Sequence, residues 1–334
     1  MKAFIIDGYG KKGGGRIGDL PEPTLREDDV LVEVHAASIN PLDVKIKKGE
    51  FKRLLPYQLP LIMGNDLAGV VVRVGPEVTR FKPGDEIYAR PDVDRIGAFA
   101  EYIAIKEDSL ALKPKTLSMT EAASMPLVGL TAWQVLVEKA NLRQGQKVLI
   151  HAGSGGVGTF AIQLAKHLGA TVATTTSTAN VDWVKRLGAD IVVDYRRDDF
   201  ENMLSDYDLV LSSLDTRTLA KSVQVLKPGG QLISISGPPN PDFAKALGLG
   251  WAVTQLMGLL SYGIRKRAKR HRVSYAFHFM SASGSQLERI ASLIDAGVIK
   301  PVIDCIFPFA AIKEAMAYAE TGRAKGKIVV KIKS

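Results

Sequence analysis

The sequence predicts an α/β protein in which a doubly wound parallel sheet is joined to a β-rich unit. From about residue 147 to residue 236, strands and helices alternate, which is the pattern of βαβ units and a parallel sheet. Residues 1–120 instead contain short apolar runs between turn residues, which is typical of a compact β-barrel-like unit. The 334 residues are enough for two or three domains.

The β-rich part is predicted from alternation and turn signals. Val30–His35 alternates apolar and polar residues, and Val70–Val74 is a short apolar run between glycines. Phe81–Glu86 contains a turn followed by another strand. Ser118 and Glu121 then have the spacing of a capping box, which predicts the start of a helix.

The alternating part yields five strands and two helices. The predicted strands are Lys147–His151, Thr171–Thr176, Ile191–Val193, Leu209–Ser212 and Gln231–Ser236. The predicted helices are Gly158–Leu168 and Val181–Leu187. Near the end of the chain, helices are predicted at Gln286–Ala296 and Ala310–Glu320, and strands at Ile303–Pro308 and Lys327–Ile332.

Composition limits the class of protein and its setting. Lys plus Arg exceed Asp plus Glu by 44 to 35, a net charge of +9, which favours an anionic partner. The single cysteine, Cys305, excludes an internal disulfide framework and a multi-cysteine zinc site. The first residues are typical of a strand and not of a signal peptide. Together these features predict a cytoplasmic protein.

The strongest motif is a glycine-rich turn between a predicted strand and a predicted helix. It consists of Gly153, Ser154, Gly155, Gly156, Val157 and Gly158, the order found in dinucleotide-binding βαβ units. Gly153 allows a tight turn, Gly155 lets a pyrophosphate approach the backbone, and Gly158 lets the helix pack close to the strand. The helix N-terminus would then bind the phosphates. The alternative is a glycine-rich turn that binds nothing.

The second predicted strand favours NADPH over NADH. An NAD-binding unit usually ends this strand with Asp or Glu, which holds the ribose 2′-OH. Here the strand ends in Thr174–Thr178, and no carboxylate occurs before Asp182. Ser177 is the first candidate donor to a 2′-phosphate, and the candidate cations are Lys185, Arg196 and Arg197. The alternative is that the threonines only form a good strand, but this does not explain the missing acid.

The ordered motifs resemble those of one enzyme family along nearly the whole chain. They are Ala37–Asp43, Gly64–Gly69, Phe81–Asp85, Gly129–Trp133, the glycine turn, Leu187–Asp190 and Gly326–Val329. The chain resembles the zinc-independent quinone oxidoreductase and enone reductase branch of the medium-chain dehydrogenase/reductase superfamily. That resemblance implies a GroES-like catalytic domain from residues 1–121 and 281–334, with a Rossmann domain, residues 122–280, inserted between them. It also implies an active site in the cleft and assembly into dimers or tetramers, of which a homodimer is the prediction for this chain.

The chain departs from zinc-bearing relatives at the positions of their metal ligands. The first ligand region is Ser38-Ile39-Asn40, with no cysteine, and the Gly-His-Glu position is Gly64-Asn65-Asp66, with no histidine. A catalytic zinc needs about three protein ligands. The five histidines do not cluster with acids at metal-binding spacing, so the sequence predicts no metal site.

A metal-free site suits the reduction of quinones or of α,β-unsaturated carbonyls (enones and alkenals). Hydride addition to a conjugated acceptor places charge on an enolate-type oxygen, which polar donors can stabilise. The predicted catalytic residues are Asn40, Asp43, Lys45 and Asp66. By resemblance, Asn40 also faces the nicotinamide or substrate. The alternatives are that Asn40 forms a turn and that Lys45 is a solvated side chain.

Further cofactor contacts follow from the resemblance. Thr131 matches a threonine beside the cofactor, and Tyr195 matches a tyrosine near the 2′-phosphate. Leu214 lies near the adenine position and Gly237 on the nicotinamide side. Phe279 is placed toward the carboxamide, and Lys327 belongs to a C-terminal loop that closes over the cofactor. Each could instead be a packing or turn residue.

A long uncharged segment precedes a basic run. Residues 246–264 carry no charge, and residues 265–272 contain six of the Lys and Arg residues. Leu249, Val253, Leu256, Met257 and Leu260 fit one helical face, which favours a helix that covers the substrate cleft or packs between domains. Peripheral membrane contact through 246–272 is the less favoured reading. The basic run is typical of a solvated face, and no RNA-binding module is visible.

Two classes of function therefore compete. The first is an NADPH-dependent quinone or enone reductase. The second is a non-catalytic NADPH-sensing or RNA-binding protein on the same fold. A zinc alcohol dehydrogenase is disfavoured by the missing ligands.

Overall fold

The computed structural model describes residues 1–10, 14–52 and 55–333. These form two compact units, residues 1–130 with 281–334 and residues 131–280. The first domain boundary is predicted at residue 121. In the structure the helix that begins after Ser118 packs against strands of the first unit. The domain boundaries at 121 and 280 stay predictions.

The strands are numbered in chain order. They are β1 (Lys2–Ile6), β2 (Arg16–Asp19), β3 (Asp29–Ile39), β4 (Leu61–Ile62), β5 (Leu67–Val74), β6 (Glu86–Ala89), β7 (Tyr102–Lys106), β8 (Leu110–Leu112), β9 (Lys147–Ile150), β10 (Thr171–Thr176), β11 (Ile191–Asp194), β12 (Tyr207–Ser212), β13 (Leu226–Ser234), β14 (Ser274–Phe277), β15 (Ile303–Pro308) and β16 (Lys327–Lys331).

The helices follow the same order. They are α1 (Pro41–Lys48), α2 (Met119–Ala123), α3 (Pro126–Trp133), α4 (Gly156–His167), α5 (Val181–Arg186), α6 (Phe200–Met203), α7 (Thr216–Ser222), α8 (Pro241–Ala246), α9 (Trp251–Leu260), α10 (Tyr262–Arg270), α11 (Gly284–Asp295) and α12 (Ile312–Glu320). A π-helical stretch, Gln134–Lys139, continues α3. Short 3₁₀ helices occupy Glu107–Ser109, Thr178–Asn180, Val223–Val225 and Phe309–Ala311.

The first unit is built on β-sheets. Seven strands form one sheet in which β15, β16, β3, β5, β6 and β8 are successive neighbours and β7 also pairs with β3. A smaller sheet has the order β2-β1-β4. Alternate residues of β3, such as Val30, Val32 and Val34, point into an apolar core with residues of β5, β6 and α12. The first unit is therefore the β-rich unit that the sequence predicts.

The second unit is a parallel sheet with helices between its strands. Its strand order is β11-β10-β9-β12-β13-β14, and every neighbouring pair is parallel. This is the doubly wound Rossmann order, in which the connectivity reverses beside the first strand, β9. The predicted α/β fold is therefore confirmed, and the strands Thr171–Thr176 and Ile303–Pro308 have the predicted bounds.

The prediction of one helix across residues 246–264 is wrong. The segment is divided among the end of α8, all of α9 and the start of α10. Gly248 adopts φ of 65°, a left-handed conformation that ends α8. At Ser261 the backbone leaves helical geometry, and its buried hydroxyl donates to the Met257 carbonyl at 2.7 Å. No helix in the described part of the chain is long and apolar enough to cross a membrane.

The predicted buried face of that segment is also wrong. Of its residues only Met257 is buried in α9, whereas Leu256 and Leu260 are exposed. Four of the five stripe residues lie in α9 itself, where the row of Val253 and Met257 faces inward and the adjacent row of Leu256 and Leu260 faces solvent.

Candidate functional site

The glycine turn of the second unit connects β9 to α4, as predicted. Gly155 caps α4 without any side-chain hydrogen bond to the helix start, so the first N–H groups of α4 lack intrahelical acceptors. Ala152 in the same turn has φ of 54°, a strained conformation for a residue with a side chain. The turn thus presents free backbone donors and the positive end of the helix dipole, the geometry that binds phosphate.

The three motif glycines are needed for different reasons. A Cβ at Gly158 would lie 2.3 Å from the Ala152 carbonyl oxygen, and one at Gly153 would lie 2.2 Å from the Thr174 hydroxyl. A Cβ at Gly155 would meet only the Ala152 oxygen, at 3.4 Å. The chain's own packing therefore requires glycine at 153 and 158 but not at 155. Space for a ligand explains the third glycine, so the turn fits the pyrophosphate of a dinucleotide.

Most of the predicted cofactor residues follow successive strands of one sheet. They are Gly153–Gly158 after β9, Ser177 after β10, Tyr195 after β11, Leu214 after β12, Gly237 after β13 and Phe279 after β14. Because these strands are parallel, their carboxyl ends lie along one edge, where such sheets bind ligands. The fold thus brings these residues to the same edge, while Thr131 lies in α3.

Ser177, directly after β10, is half-buried and has a hydroxyl hydrogen to donate, whereas the Thr176 hydroxyl is buried and has no partner among the described residues. Thr174 donates to the Ile150 carbonyl, and the Thr175 hydroxyl contacts His151. Ser177 accepts from the Asn180 amide at 3.0 Å, which leaves its own hydrogen available.

An acidic residue, Asp194 of β11, lies near the end of β10, and the pattern of residues in β10 did not predict it. The Asp194 carboxylate accepts from the Thr178 hydroxyl at 2.6 Å and lies 3.5 Å from the Arg197 Nε. The Thr178 hydrogen bond, with both neighbouring arginines, lowers the pKa of Asp194. This carboxylate comes from β11 and not from β10, so counting residues past the first glycine could not find it.

The first unit contains a buried polar network built from distant parts of the chain. Asp66 is its centre. One carboxylate oxygen accepts from Ser38, Asn40 and Lys327, at 2.9, 2.8 and 3.1 Å. The other oxygen accepts from the Leu127 backbone N–H at 2.8 Å. Such complete pairing is what a buried charge requires.

Asn40 is fully engaged inside this network. Its amide nitrogen donates to Asp66 and, more weakly, to the Ser38 carbonyl at 3.4 Å. Its amide oxygen accepts from Lys327. An amide has two hydrogens, so Asn40 retains none for a substrate oxygen. The geometry makes it a positioning residue for Lys327.

Lys327 is the buried cation of the network, with 4% of its surface exposed. The sequence analysis places it in a closing loop, but it is the first residue of β16 and pairs in parallel with Ile303 of β15. An ammonium group has three hydrogens, and Asn40 and Asp66 take two of them. One N–H therefore remains for a ligand.

Asp43 supports the network from α1. Its carboxylate accepts from the Asn40 backbone N–H and the Asn65 amide, each at 2.7 Å. Burial raises the pKa of Asp43 to about 6, because the loss of water outweighs these two donors. The group therefore changes charge close to neutral pH.

Lys45 is not brought into the network. It is half-buried on α1, and its side chain forms no hydrogen bond or ion pair with the described residues of the network. Its predicted catalytic role stays a prediction.

Arg90 is a buried cation that sequence reasoning missed. It is 1% exposed and donates one hydrogen bond to the Pro91 carbonyl at 2.7 Å. Its Nε and Nη2 have no partner among the described residues. Burial lowers its pKa, while the charge of Asp66 opposes that effect. No local sequence signal marks it, because it only follows an ordinary strand.

At the positions where zinc-bearing relatives have their metal ligands, the residues of this chain form hydrogen bonds with other residues of the protein. Ser38 and Asn40 bond Asp66, and Asn65 bonds Asp43. Over residues 1–10, 14–52 and 55–333, no group of three His, Cys, Asp or Glu side chains could hold a metal ion. His151 is buried between Thr175 and Ser222, and burial lowers its pKa to about 4.

A Rossmann unit with this glycine turn, joined to a β-rich unit that contains a buried lysine, is typical of nicotinamide-dependent oxidoreductases. Comparison with known families agrees. Residues 26–115 match the alcohol dehydrogenase GroES-like domain, and residues 187–330 match the zinc-binding dehydrogenase family.

Individual relatives narrow the class. The chain is 37% identical to the 2-methylene-furan-3-one reductase of Solanum lycopersicum, over 99% of this chain and 79% of the relative. It is 35% identical to a chloroplastic NADPH-dependent alkenal/one oxidoreductase of Arabidopsis thaliana, over the same shares. The solved quinone oxidoreductase of Coxiella burnetii superposes with a TM-score of 0.88 at 31% identity, covering 100% of this chain and 99% of that one.

The chain therefore belongs to the quinone and enone reductase branch of the medium-chain dehydrogenase/reductase superfamily, the zinc-independent branch that its motifs resemble.

Proposed function

We propose that the protein reduces quinones or α,β-unsaturated carbonyls with NADPH and without zinc. The observation that carries the proposal is the Lys327 ammonium group, which is buried, held by two acceptors and left with one free N–H. A fixed donor of this kind stabilises negative charge that develops on an acceptor oxygen.

The chain's residues divide the chemistry between them. NADPH supplies a hydride to the conjugated carbon of the acceptor when it is bound. Lys327 stabilises the oxygen on which charge accumulates, so no Lewis acid is required. Asn40 and Asp66 hold the ammonium in place, since the reaction gains most from a donor that need not reorganise.

Zinc independence is supported by the bonding of the residues that replace zinc ligands. Ser38, Asn40 and Asn65 each already have a protein partner. Amides and hydroxyls are poor zinc ligands compared with thiolate and imidazole. The cation Lys327 also lies against Asp66 and would repel a dication there.

The preference for NADPH rests on the groups after β10 and β11. Ser177 can donate to a 2′-phosphate, and Tyr195, Arg196 and Arg197, which directly follow β11, are exposed. One of these arginines is partly engaged by Asp194, so its charge offsets that carboxylate. The name of the alkenal/one oxidoreductase relative also specifies NADPH.

The test is NADPH oxidation in chelator-treated buffer with 9,10-phenanthrenequinone and with a short-chain enone. The proposal predicts turnover of at least one acceptor class, faster with NADPH than with NADH, and unchanged by the chelator. Loss of turnover after metal removal would exclude the zinc-free mechanism. Tight NADPH binding with no turnover of either acceptor would instead favour the nucleotide-sensing alternative.

A homodimer and a cytoplasmic location belong to the same proposal. Strand β14 is the edge of the six-stranded sheet, and an edge strand can pair with its copy in a second chain. The mass in solution, measured by light scattering, tests the homodimer. Fractionation of cells tests the location, since the alkenal/one relative is named as chloroplastic.

A further inference from the structure

Helix α9 exposes its apolar side chains to solvent. Trp251 and Leu259 are 77% and 76% exposed, and Leu256 and Leu260 are also exposed. Leu247 before the helix and Tyr262 after it extend the patch. Of the twelve exposed large apolar side chains in the described part of the chain, these are six. We call these six residues the apolar patch.

The arrangement is the reverse of an ordinary surface helix. Residues 251, 255 and 259 form one row along α9, and residues 252, 256 and 260 form the adjacent row. These rows face solvent, and their only polar side chain is the uncharged Gln255. Met257, on the opposite side, is the one residue of α9 that is buried. An exposed cluster of this kind marks a surface that binds a partner.

The next helix adds a dense positive charge. Ile264 and Ala268 anchor α10 in the core of the second unit. The basic run, defined as Arg265, Lys266, Arg267, Lys269, Arg270 and Arg272, is exposed on its other sides. No Asp or Glu occurs from residue 243 to residue 287. Within the described ranges, none of the six cations lies within ion-pair distance of a carboxylate.

Some of these cations line an open groove. Arg265, Lys266, Lys269 and Arg272 border it together with Tyr262 and Tyr275. Tyr262 belongs to the apolar patch as well, so the groove and the patch are continuous. A phosphate-bearing group in the groove would therefore have an apolar surface immediately beside it.

We propose that α9 and α10 bind the surface of an anionic lipid bilayer, with the apolar patch in the acyl boundary and the basic run against the headgroups. This pairing of an aromatic and leucine face with adjacent cations is the physical signature of an interfacial helix. Anionic lipid complements a surface that lacks any carboxylate. A nucleic acid would complement the charge but would leave six apolar side chains in water.

A second copy of the chain fits this face less well. A two-fold axis through the face would set the basic run of one copy against the same run of the other. The like charges would then oppose burial of the apolar patch. The charge thus selects the lipid surface over self-association.

Flotation with vesicles tests the proposal on the full chain. The vesicles are phosphatidylcholine alone or phosphatidylcholine with about 30% phosphatidylserine, at ~0.05 M and ~0.5 M NaCl. We expect binding to the anionic vesicles at low salt, and at least about ten-fold weaker partition at high salt or without phosphatidylserine. Trp251→Ser with Leu259→Ser should weaken partition about ten-fold or more, as should Lys266→Glu with Lys269→Glu.

Matched variants control for a general loss of surface apolarity or charge. Met203→Ser removes another exposed apolar side chain from α6 of the same unit, and Lys106→Glu with Lys313→Glu removes two exposed cations of the first unit. We expect partition within about two-fold of the unchanged protein for both, with thermal melting showing that all variants fold.

Three results would overturn the proposal. They are no flotation at low salt, equal flotation with neutral and anionic vesicles, or equal losses in the matched controls. If Trp251→Ser with Leu259→Ser converts a larger assembly to a smaller one while vesicles are not bound, a second copy covers the patch and the lipid proposal fails.

Discussion

The glycine turn of the second unit and the lysine network of the first unit perform their roles by opposite means. The glycine turn, at the junction of β9 and α4, presents backbone N–H groups. Its residues are consecutive in the chain, from Gly153 to Gly158. The network consists of side chains from β3, α1, β16 and the loop residues that flank them, including Asp66 just before β5, and its hydrogen bonds span as many as 287 residues. The turn leaves donors free, whereas nearly all groups of the network are paired.

That difference decides which changes each region tolerates. In the turn, one missing side chain creates the space for a ligand. In the network, each polar atom depends on a partner, so removing one group leaves another buried and unpaired. The following predictions test this contrast.

The largest effect is expected at the two lysines that compete for the role of donor. Lys327→Met should lower kcat by about 10²–10³-fold, because it removes the donor to the developing oxyanion. It should also lower the free energy of unfolding by about 3 kcal/mol, because Asp66 loses its cation. Lys45→Met is the matched control, and steady-state kinetics should show a change below about three-fold. The reverse order would assign the role to Lys45.

The second effect concerns the charge of Asp43. The folded carboxyl has a pKa of about 6, above its ordinary value of 3.8, so it binds its proton more tightly than the unfolded chain does. Raising the pH from 4 to 7 therefore destabilises the fold, by up to about 3 kcal/mol from this group. Asp43→Asn removes this dependence. Urea unfolding across that pH range should show the unchanged protein losing stability relative to the variant. A constant difference would contradict the raised pKa.

The third effect separates two glycines of the same turn. Gly155→Asp should raise the Kd for NADPH by about 100-fold, through its side chain and its charge beside a pyrophosphate. Its melting temperature should hardly change, because a Cβ there would make only an ordinary contact, at 3.4 Å from the Ala152 oxygen. Gly158→Ala should lower the melting temperature, because its Cβ would lie 2.3 Å from a carbonyl oxygen. Equal loss of stability in both variants would show that Gly155 serves packing alone.

The smallest effect is expected at the residues proposed to bind the adenosine 2′-phosphate of NADPH. Arg196→Glu with Arg197→Glu should lower the preference for NADPH over NADH by about ten-fold, because acids beside a 2′-phosphate repel it. The ratio of kcat/KM values for the two cofactors measures this change. Lys227→Glu, on β13, is the control and should keep the ratio. An unchanged ratio in the double variant would exclude both arginines and leave Ser177, Lys185 and Tyr195 as the candidate determinants.

The sequence was sufficient for the parallel sheet because its signals are local. Strand β10 and the turn after β9 are specified by runs of neighbouring residues, so periodicity and glycine spacing reveal them. Four residues of the network, Asn40, Asp43, Asp66 and Lys327, were predicted as site residues from the sequence. Their assignment to one hydrogen-bonded cluster, and the free N–H of Lys327, depend on strand pairing that no local pattern encodes.

Two features were not predicted from the sequence, because tertiary packing determines both of them. Arg90 directly follows the ordinary strand β6, and only tertiary packing buries it. The segment 246–264 has a helical stripe, but Gly248 and Ser261 divide it. Within α9, tertiary packing covers only the row of Val253 and Met257 and leaves Leu256 and Leu260 in solvent.

The most direct test follows the hydride itself. NADPH that carries deuterium at the transferred position of C4 is supplied with an enone, and the product is analysed by mass spectrometry and NMR. The account predicts a saturated ketone with one deuterium at the β-carbon, because Lys327 stabilises the enolate oxygen. Deuterium at the carbonyl carbon, in an unsaturated alcohol, would contradict it and would indicate alcohol dehydrogenase chemistry.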